Sequence, residues 1–286
     1  CPIRRPDLVQ WSTDVLPPLL EEANREGWSV VKIHGHADAY RAFSPVDDAS
    51  DKELFPNVAG WFDVDVPHGS VVLLQDGHLF GRVVSAEGFF TPMERIMVVG
   101  DDVQIDFDDA QERLRLDGFT DRHARAFGAA TTRLLRRLTV AIVGISGTGS
   151  PLVEMLVRLG VGRVLLIEPD VINEENLNRI INATRAEIGR LKVDVAAETI
   201  ERMGLGAEVV RIPMNISNRE VVEAIAEADL VFGCMDGAEG RSVLNRLATW
   251  YLLPYIDVGV KILADGNGAI DEVSTAVHYL QPGLSS

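Results

Sequence analysis

A short unit at residues 138–150 constrains the fold of this chain more than any other feature, because it joins an apolar strand to a glycine-rich turn. The strand covers residues 138–145, the turn contains Gly144, Gly147 and Gly149, and a helix follows. A helix N-terminus holds a phosphate through its free backbone N–H groups and the positive end of its dipole. The unit therefore predicts an α/β fold with a nucleotide site at this turn.

Two carboxylates, Glu168 and Asp170, follow a second apolar strand about 20 residues beyond the turn, where an acidic side chain can bind ribose hydroxyls. The turn departs from the dinucleotide-binding pattern G-x-G-x-x-G, because Ser146 takes the place of the second glycine. That glycine lets the backbone approach a pyrophosphate. The turn alone is weak evidence for a nucleotide, since a glycine turn also serves to tighten a strand–helix corner.

Apolar stretches recur along the second half of the chain, with helical stretches between most of them. They lie near residues 138–145, 163–168, 207–212, 229–235 and 255–260. This alternation is typical of a parallel sheet wound by helices. We therefore predict an α/β architecture, in which a Rossmann-like doubly wound, mainly parallel sheet is preceded by a smaller α+β domain.

The smaller domain is predicted over residues 1–112. Its expected elements are a helix at 15–26, a strand at 28–34, a hairpin at 70–84 that turns at Asp76-Gly77, and a strand at 94–100. The charged, turn-rich segment 101–118 indicates a junction. An arginine-rich linker helix over 113–137 then precedes the second domain, 138–286.

Composition limits the classes of function. The net charge of −16 argues against nucleic acid as a partner, since phosphate binding needs a basic surface. No apolar run approaches the roughly 20 residues that span a membrane, and no signal-peptide pattern opens the chain. Two cysteines suit a reducing cytoplasm, and we expect Cys234, inside an apolar stretch, to be a buried thiol. We also expect both ends to be cut, because the chain starts at Cys1 and stops at QPGLSS.

Three further motifs follow the acidic strand end in a fixed order. They are NLNR at residues 176–179, GRLKVD with Lys192, and VFGCMDGAEGR with Asp236 and Arg241. Together with the glycine turn, they resemble the ThiF/HesA/MoeB family, the adenylating domain shared with ubiquitin-activating enzymes. The resemblance spans residues 138–282, and the succession of motifs is far more specific than the turn alone.

The resemblance implies an ATP-dependent adenylyltransferase that uses Mg²⁺ and forms an acyl-adenylate on the C-terminal glycine of a ubiquitin-like or sulfur-carrier protein. The implied site has a turn under the phosphates (Gly144, Gly147 and Gly149), a carboxylate at the ribose (Glu168), side chains on the triphosphate (Asn176, Arg179 and Lys192) and a Mg²⁺ ligand (Asp236). Asp170, the second residue of the acidic pair, also belongs to the implied nucleotide-binding set. Arg179, Lys192 and Asp236 would act in catalysis. Family dimers insert an arginine from the helix before the first strand into the partner's site, which implies a homodimer with Arg125, or alternatively Arg122, in that role.

Simpler interpretations exist for several of these residues. Lys192 and Arg179 would be solvated helix charges, and Asp236 would cap the following helix. Glu168 stands where the family usually has aspartate, so its side chain is one methylene longer. Three other functions remain open: an NAD-dependent oxidoreductase, a non-catalytic scaffold that binds the carrier, and a ThiF-like enzyme that acts on a small molecule or tRNA.

A second set of polar residues lies in IHGHADAYRAFSPVD, namely His34, His36, Ser44 and Asp47. Its spacing resembles the JAMM (MPN/Mov34) metalloprotease motif. In a strand, His34 and His36 point to the same face. Asp47 would complete three Zn²⁺ ligands and leave one position open for water. Ser44 would stabilise a tetrahedral oxyanion.

The resemblance implies a zinc-dependent isopeptidase-like domain. Its general-base glutamate would precede the helix, and because no glutamate occurs before Glu21, we expect that residue outside this sequence. We expect His68 and His78 at the surface rather than among the ligands. The two motifs together predict a cytoplasmic fusion whose domains both act on the C-terminus of one carrier.

Overall fold

Two units divide the chain in the computed structural model, which describes residues 3–5, 8–10, 13–36, 40–108 and 118–281. One unit comprises residues 1–98 and 103–113, and the other comprises 99–102 and 114–286. Residues 113–117 of the predicted linker helix lie outside the described ranges. Within those ranges, no helix combines the length and apolar character needed to cross a membrane.

The N-terminal unit is built around a four-stranded sheet. Its elements are β1 (Ile3–Arg5), β2 (Leu8–Gln10), α1 (Leu16–Glu26), β3 (Val31–Gly35), α2 (Pro45–Ala59), β4 (His68–Leu73), β5 (Leu79–Val84), β6 (Phe90–Pro92), β7 (Arg95–Val99) and β8 (Val103–Phe107). The sheet has the order β3-β4-β5-β6, with β3 and β4 parallel and the other pairs antiparallel. Strand β1 pairs with β2, and β7 pairs with β8.

The predicted hairpin is confirmed as β4 and β5, which turn at Gly77 with φ +87°. Strand β8, in contrast, lies inside the segment that the sequence indicated as a junction. Its alternation of Val103, Ile105 and Phe107 with polar residues is a strand pattern, but acidic neighbours on both sides conceal it. Asp106 is buried there because its carboxylate accepts the backbone N–H of Leu79 at 2.9 Å.

A buried ion network joins helix α2 to the sheet. Asp51 on α2 is fully buried, and its carboxylate pairs with Lys32 on β3 and with Arg82 on β5. The Arg82 guanidinium lies 3.7 Å from the ring centroids of both Phe43 and Phe90. Cation–π contacts of this kind are strongest when the cation is desolvated. Arg82 therefore connects the helix, the sheet and two aromatic rings.

The C-terminal unit is an α/β fold, as predicted. Its elements are α3 (Asp121–Phe127), α4 (Ala129–Arg137), β9 (Thr139–Val143), α5 (Gly149–Leu159), β10 (Arg163–Ile167), α6 (Lys192–Met203), β11 (Glu208–Ile212), α7 (Arg219–Ala226), β12 (Leu230–Gly233), α8 (Ala238–Tyr251), β13 (Tyr255–Ala264) and β14 (Ile270–Leu280). The sheet order is β11-β10-β9-β12-β13-β14, parallel except for the antiparallel β14.

The two faces of this sheet are covered by separate apolar clusters. Along β9, Val140 and Ile142 belong to one cluster, whereas Ala141 and Val143 belong to the other. Burial on both faces explains why the strands are continuous apolar runs. The chain winds from β9 to β11 on one side and then crosses to β12 on the other, so a crevice opens at the carboxyl ends of β9 and β12.

The predicted helix before β9 is interrupted. It forms two helices, α3 and α4, separated by Gly128, whose φ of +88° and ψ of 152° are incompatible with a continuous helix. Glycine adopts this conformation at little cost because it lacks a Cβ. The arginine-rich pattern continues on both sides of the glycine, which is why the sequence suggested one helix.

We expect the Arg82→Met variant to lower the free energy of unfolding of the N-terminal unit by about 3 kcal/mol, because it removes a partner from a buried carboxylate. Urea titration followed by tryptophan fluorescence measures this, since Trp28 and Trp61 lie in the unit. Arg25→Met is the matched control in the same unit: Arg25 forms an exposed i,i+3 pair with Glu22, and its substitution should lower the free energy of unfolding far less than Arg82→Met does. Equal losses of unfolding free energy in the two variants would contradict the assignment of Arg82 as a partner of the buried carboxylate.

Candidate functional site

A cleft of about 860 Å³ opens at the carboxyl ends of the parallel strands in the C-terminal unit. It brings together most residues of the predicted nucleotide site, namely Gly144, Gly147, Glu168, Asp170, Asn176, Arg179, Lys192 and Asp236. Ser146 and Arg241 also line it. Gly149 and Arg125 are not among the described residues that line the cleft.

The glycine turn depends on two positions where a side chain has no space. Gly144 has φ +95°, and a Cβ there would lie 2.8 Å from the Cys234 carbonyl oxygen. A Cβ on Gly149 would lie 1.8 Å from the Gly144 carbonyl oxygen, at the first residue of α5. Because neither position carries a Cβ, the backbone of the turn packs closely between the ends of β9 and β12. The start of α5 is thereby fixed beside the cleft.

Glu168 ties the turn to the end of β10. It is 7% exposed, and its Oε2 accepts the Ile145 N–H at 3.0 Å while its Oε1 accepts the Asp170 N–H at 3.2 Å. The Lys192 Nζ lies 3.6 Å from the same carboxylate. The longer side chain of glutamate therefore has a structural function here, because it bridges two segments of backbone.

Lys192 is not a solvated helix charge. It is the first residue of α6, it is 6% exposed, and its Nζ lies 3.1 Å from Asp170 Oδ2. The ammonium thus stands between two carboxylates, of which Glu168 is buried and Asp170 is exposed. This arrangement gives the cleft a fixed positive charge next to a carboxylate that faces solvent.

Asn176 ends a short 3-10 turn after β10, Glu174–Asn176, and Arg179 lies in the turn that follows it. The buried Asn176 side chain accepts the Asn173 N–H at 3.1 Å, which builds the turn. The exposed Arg179 guanidinium donates to the Glu175 carbonyl at 2.8 Å. A Cβ at Gly147 would lie 3.2 Å from Arg179 Cδ, so the arginine stem passes over the glycine turn. Asn176 therefore positions the segment that carries Arg179.

Asp236 follows β12 and presents an exposed carboxylate to the cleft. The alternative that it caps α8 is wrong, because the capping position is Gly237 and no side chain caps that end. In the part of the chain that the structure describes, Asp236 has no salt-bridge partner. Such a carboxylate is a suitable ligand for a hard cation such as Mg²⁺.

Arg241 is held by a carboxylate at the same end of the sheet. Its Nε lies 3.2 Å from Asp257 Oδ1, which also accepts the Tyr255 hydroxyl at 2.9 Å. Two cleft residues were missed by the sequence interpretation: Asn215 and Ser217 lie in the loop after β11. Polar residues just beyond a parallel strand were the available signal, since ligands bind at the carboxyl ends of such strands.

Cys234 and Arg125 differ in their relation to this cleft. The prediction of a buried thiol is confirmed: Cys234 is 7% exposed, and burial raises the pKa of its thiol to about 11. It is therefore protonated and unreactive at neutral pH.

Arg125 lies exposed on α3 and does not line the cleft of its own chain. Its role in a partner's site stays a prediction.

A second cluster lies in the N-terminal unit, where ligand atoms of His34, His36 and Asp47 are all within 4.8 Å of one another. His34 Nε2 is 2.9 Å from Asp47 Oδ1, and His36 Nε2 is 3.2 Å from Asp47 Oδ2. Neither ring nitrogen of His34 has an aligned hydrogen-bond partner, although both are buried. Burial lowers the pKa of His34, which favours the neutral ring that ligates metals.

Ser44 orients Asp47. It caps α2, and both its backbone N–H and its hydroxyl donate to Asp47 Oδ2 at 2.7 Å. Although burial raises the pKa of Asp47, these hydrogen bonds outweigh it and lower that pKa overall. The predicted oxyanion role of Ser44 stays a prediction, because in this arrangement its proton is directed at the carboxylate.

The two other histidines of this unit are outside the cluster. His78 is half exposed, and its Nδ1 lies 2.6 Å from Asp106 Oδ1. The expectation that His68 lies at the surface is wrong: it is 3% exposed, and its Nδ1 accepts the Val30 N–H at 3.1 Å. His68 begins β4, and the Phe62 ring lies against its imidazole, with the ring centroids 4.6 Å apart. Its burial thus results from packing that the local sequence does not reveal.

Two curated relatives match parts of the chain. The adenylyltransferase and sulfurtransferase UBA4 of Meyerozyma guilliermondii is 30% identical over 131 residues, covering 46% of this chain and 31% of that protein. Ubiquitin-like modifier-activating enzyme 5 of Culex quinquefasciatus is 30% identical over 161 residues, covering 52% and 38%. The chain thus spans about a third of the length of these relatives.

Solved structures of E. coli proteins are also similar. MccB, solved with ATP, shares 21% identity over 59% of this chain and 50% of its own, with a TM-score of 0.48. The tRNA N6-threonylcarbamoyladenosine dehydratase TcdA shares 25% identity over 55% and 65%, with a TM-score of 0.48. A sequence model of the ThiF family matches residues 120–270, which is more than half of the chain. The residues that this match covers include the glycine turn and every cleft residue of the predicted nucleotide site, and the chain therefore belongs to the ThiF family.

Proposed function

We propose that the C-terminal unit is an ATP-dependent adenylyltransferase that activates the C-terminal carboxylate of a ubiquitin-like or sulfur-carrier protein. The observation that carries the proposal is the single cleft that contains all the predicted nucleotide-binding residues except Gly149. Its volume, about 860 Å³, lies in the range of small-molecule sites. The alternative function, an NAD-dependent oxidoreductase, would leave Asn176, Arg179, Lys192 and Asp236 without a comparable role.

The proposed ATP position follows from the chemistry of the lining. The turn before α5 offers backbone N–H groups and the positive end of a helix dipole to the phosphates. Lys192 and Arg179 add positive charge next to that turn. Glu168 already accepts two backbone N–H bonds, so the exposed carboxylate of Asp170 is the better acceptor for ribose hydroxyls.

The reaction is the transfer of the adenylyl group of ATP to the carboxylate of the carrier. A carboxylate oxygen of the carrier attacks the α-phosphorus of ATP, the bond from that phosphorus to the bridging oxygen breaks, and pyrophosphate leaves. Lys192 and Arg179 stabilise the charge that develops on the phosphate oxygens, because they are held in place before the reaction begins. Mg²⁺, when bound at Asp236, would supply further charge neutralisation.

The choice of carrier is supported by the names of relatives, since one is a sulfurtransferase and another activates a ubiquitin-like modifier. Because burial and a raised pKa make Cys234 unreactive, the proposal does not extend to a thioester at this residue. A homodimer is proposed on the basis of Arg125, which is exposed and absent from its own cleft.

We expect Lys192→Ala and Asp236→Asn each to weaken Mg-ATP binding at least tenfold, because hydrogen bonds between charged groups contribute about 1.5–3 kcal/mol. Isothermal titration calorimetry on the full chain measures the dissociation constants. Without Mg²⁺, Asp236→Asn should bind ATP as the unmodified chain does.

The control for these variants is Lys261→Ala. Lys261 is exposed on β13 and does not line the cleft, so its removal should leave ATP binding unchanged. An ATP affinity that is the same in all three variants would refute the proposed site.

We also propose that the N-terminal unit holds Zn²⁺ at His34, His36 and Asp47 and acts as an isopeptidase-like domain on the C-terminus of the same carrier. The observation that favours this is the approach of the three ligand atoms to within 4.8 Å, with neither His34 ring nitrogen engaged in an aligned hydrogen bond. Three protein ligands leave a fourth position of Zn²⁺ open, where the ion would polarise a peptide carbonyl or activate water. Ser44 keeps the Asp47 carboxylate oriented toward the two histidines.

We expect the chain, stripped with chelator, to bind one equivalent of Zn²⁺ and His36→Ala to bind none at micromolar concentration, since the variant keeps only two ligands. Competition with a chromogenic zinc chelator measures the stoichiometry. His78→Ala serves as the control because His78 contacts Asp106 and is outside the cluster. Retention of the full equivalent by His36→Ala would contradict the assignment.

A further inference from the structure

Arg241 is a cation of the nucleotide cleft to which the proposed function assigns no role. The described residues that line the cleft carry three cations, Arg179, Lys192 and Arg241, and five carboxylates. Arg179 and Lys192 belong to the group proposed for the triphosphate. ATP and the carboxylate that attacks it are both anions, and like charges repel at short distance. The third cation is therefore the one that the second anion requires.

The register of the sheet places the partner of Arg241 at a distance from the phosphate-binding turn. Residues on four neighbouring strands stand opposite one another: Ile167 on β10, Val143 on β9, Gly233 on β12 and Asp257 on β13. Adjacent strands lie about 4.8 Å apart, so Asp257 is about 10 Å from the end of β9. Arg241 is thus anchored two strands beyond the turn, on the side away from β10.

Two glycines provide the space around Asp257. A Cβ on Gly233 would lie 2.7 Å from the Tyr255 hydroxyl oxygen, and one on Gly259 would lie 2.9 Å from an Arg241 Nη. The Tyr255 ring therefore crosses β12 at Gly233, and the Arg241 guanidinium lies over β13 at Gly259. A larger residue at either glycine would displace the group that stands next to Asp257.

The carboxylate of Asp257 lies between the tyrosine and the arginine. Its Oδ1 accepts the Tyr255 hydroxyl at 2.9 Å and is 3.2 Å from Arg241 Nε. Burial and this hydrogen bond raise the pKa of Tyr255, so its hydroxyl remains a donor. Within the described ranges, the Arg241 guanidinium makes no aligned hydrogen bond. Its planar fork of donors, which fits a carboxylate, is therefore held by charge and remains able to bind one.

The position of Arg241 on its helix favours an anion-binding role over a purely structural ion pair. It lies near the start of α8, which begins at Ala238, and no side chain caps that end. The positive end of a helix dipole disfavours a cation and favours an acid, such as Glu239 in the same turn. A guanidinium placed there adds to the dipole, and both attract an anion in the cleft.

We infer that Arg241 binds the carboxylate that attacks ATP, and that Asp257 is the positioning residue that holds its guanidinium at the cleft. The inference rests on the proposed adenylyltransferase function. The attacking carboxylate has to approach a triphosphate in a cleft that also contains the exposed Asp236 carboxylate. Arg241 compensates for this repulsion. Since a C-terminal amide lacks the negative charge, Arg241 also makes the site specific for a free C-terminus.

The experiment measures ATP–pyrophosphate exchange by the full chain, with a pool of synthetic hexapeptides as the substrate. Each peptide ends in glycine with a free carboxylate and is randomised at its other positions, and the same pool with a C-terminal amide is the control for charge. Arg241→Gln removes the guanidinium, Asp257→Asn weakens its anchor, and Gly259→Ala displaces it without changing any charge. Arg246→Gln, the matched control, removes an exposed arginine of α8 that does not line the cleft.

We expect Arg241→Gln to raise the KM for the carboxylate pool at least tenfold, because a charged hydrogen-bond donor is lost. Asp257→Asn and Gly259→Ala keep the guanidinium but not its position, and they should raise that KM about threefold. Arg246→Gln should leave it unchanged. The KM for Mg-ATP should stay the same in all four variants, because Arg241 is not among the groups proposed for the nucleotide. A purely structural ion pair would not separate the two constants in this way.

Calorimetric titration of the same variants with Mg-ATP separates this inference from the proposed function. Unchanged Mg-ATP affinity shows that a variant is folded, whereas weaker binding by Arg241→Gln would place the guanidinium on the triphosphate and overturn the inference. Equal exchange, including none, with the carboxylate and amide pools would overturn it as well, as would an equal KM for Arg241→Gln and Arg246→Gln. An unmodified chain that binds no Mg-ATP would instead refute the adenylyltransferase itself.

Discussion

The nucleotide cleft depends on the buried carboxylate of Glu168. It accepts N–H groups from Ile145 in the glycine turn and from Asp170 beyond β10, and the Lys192 ammonium lies 3.6 Å away. A buried carboxylate is tolerated only when hydrogen bonds and a counter-charge compensate for lost hydration. Two backbone hydrogen bonds and the Lys192 ammonium provide this compensation, and they join the turn, the acidic strand end and the lysine. Dipoles and charges fixed in this way stabilise developing charge without reorganisation.

The metal-ligating cluster of the N-terminal unit depends on the period of two of a strand. His34 and His36 share one face of β3, and both meet Asp47. Helix α2 contributes Asp47 in a defined orientation because Ser44 caps that helix and binds the carboxylate. The arrangement follows from elements that form locally, and the buried pair of Arg82 and Asp51 fastens them to the sheet.

Features set by short-range pattern could be predicted from the sequence, and features set by distant contacts could not. The order of apolar strands predicted the parallel sheet, and the glycine turn was apparent from its glycines; at Gly144 and Gly149 a Cβ would lie too close to backbone atoms. The bridging role of Glu168 was not apparent, since it depends on Ile145, 23 residues away along the chain. The burial of Lys192 and His68 likewise results from packing between segments, and one glycine, Gly128, divides an otherwise continuous helical pattern.

Nucleotide selectivity distinguishes an adenylating site from a dinucleotide-binding site. ATP and NAD both contain an adenosine that a carboxylate at a strand end can bind, but only a triphosphate site with a cation ligand requires Mg²⁺. Calorimetric titration of the full chain with each nucleotide, with and without Mg²⁺, distinguishes an ATP site from an NAD site. We expect ATP to bind tightly only with Mg²⁺, and NAD to bind weakly or not at all. Tight NAD binding that is indifferent to Mg²⁺ would contradict it.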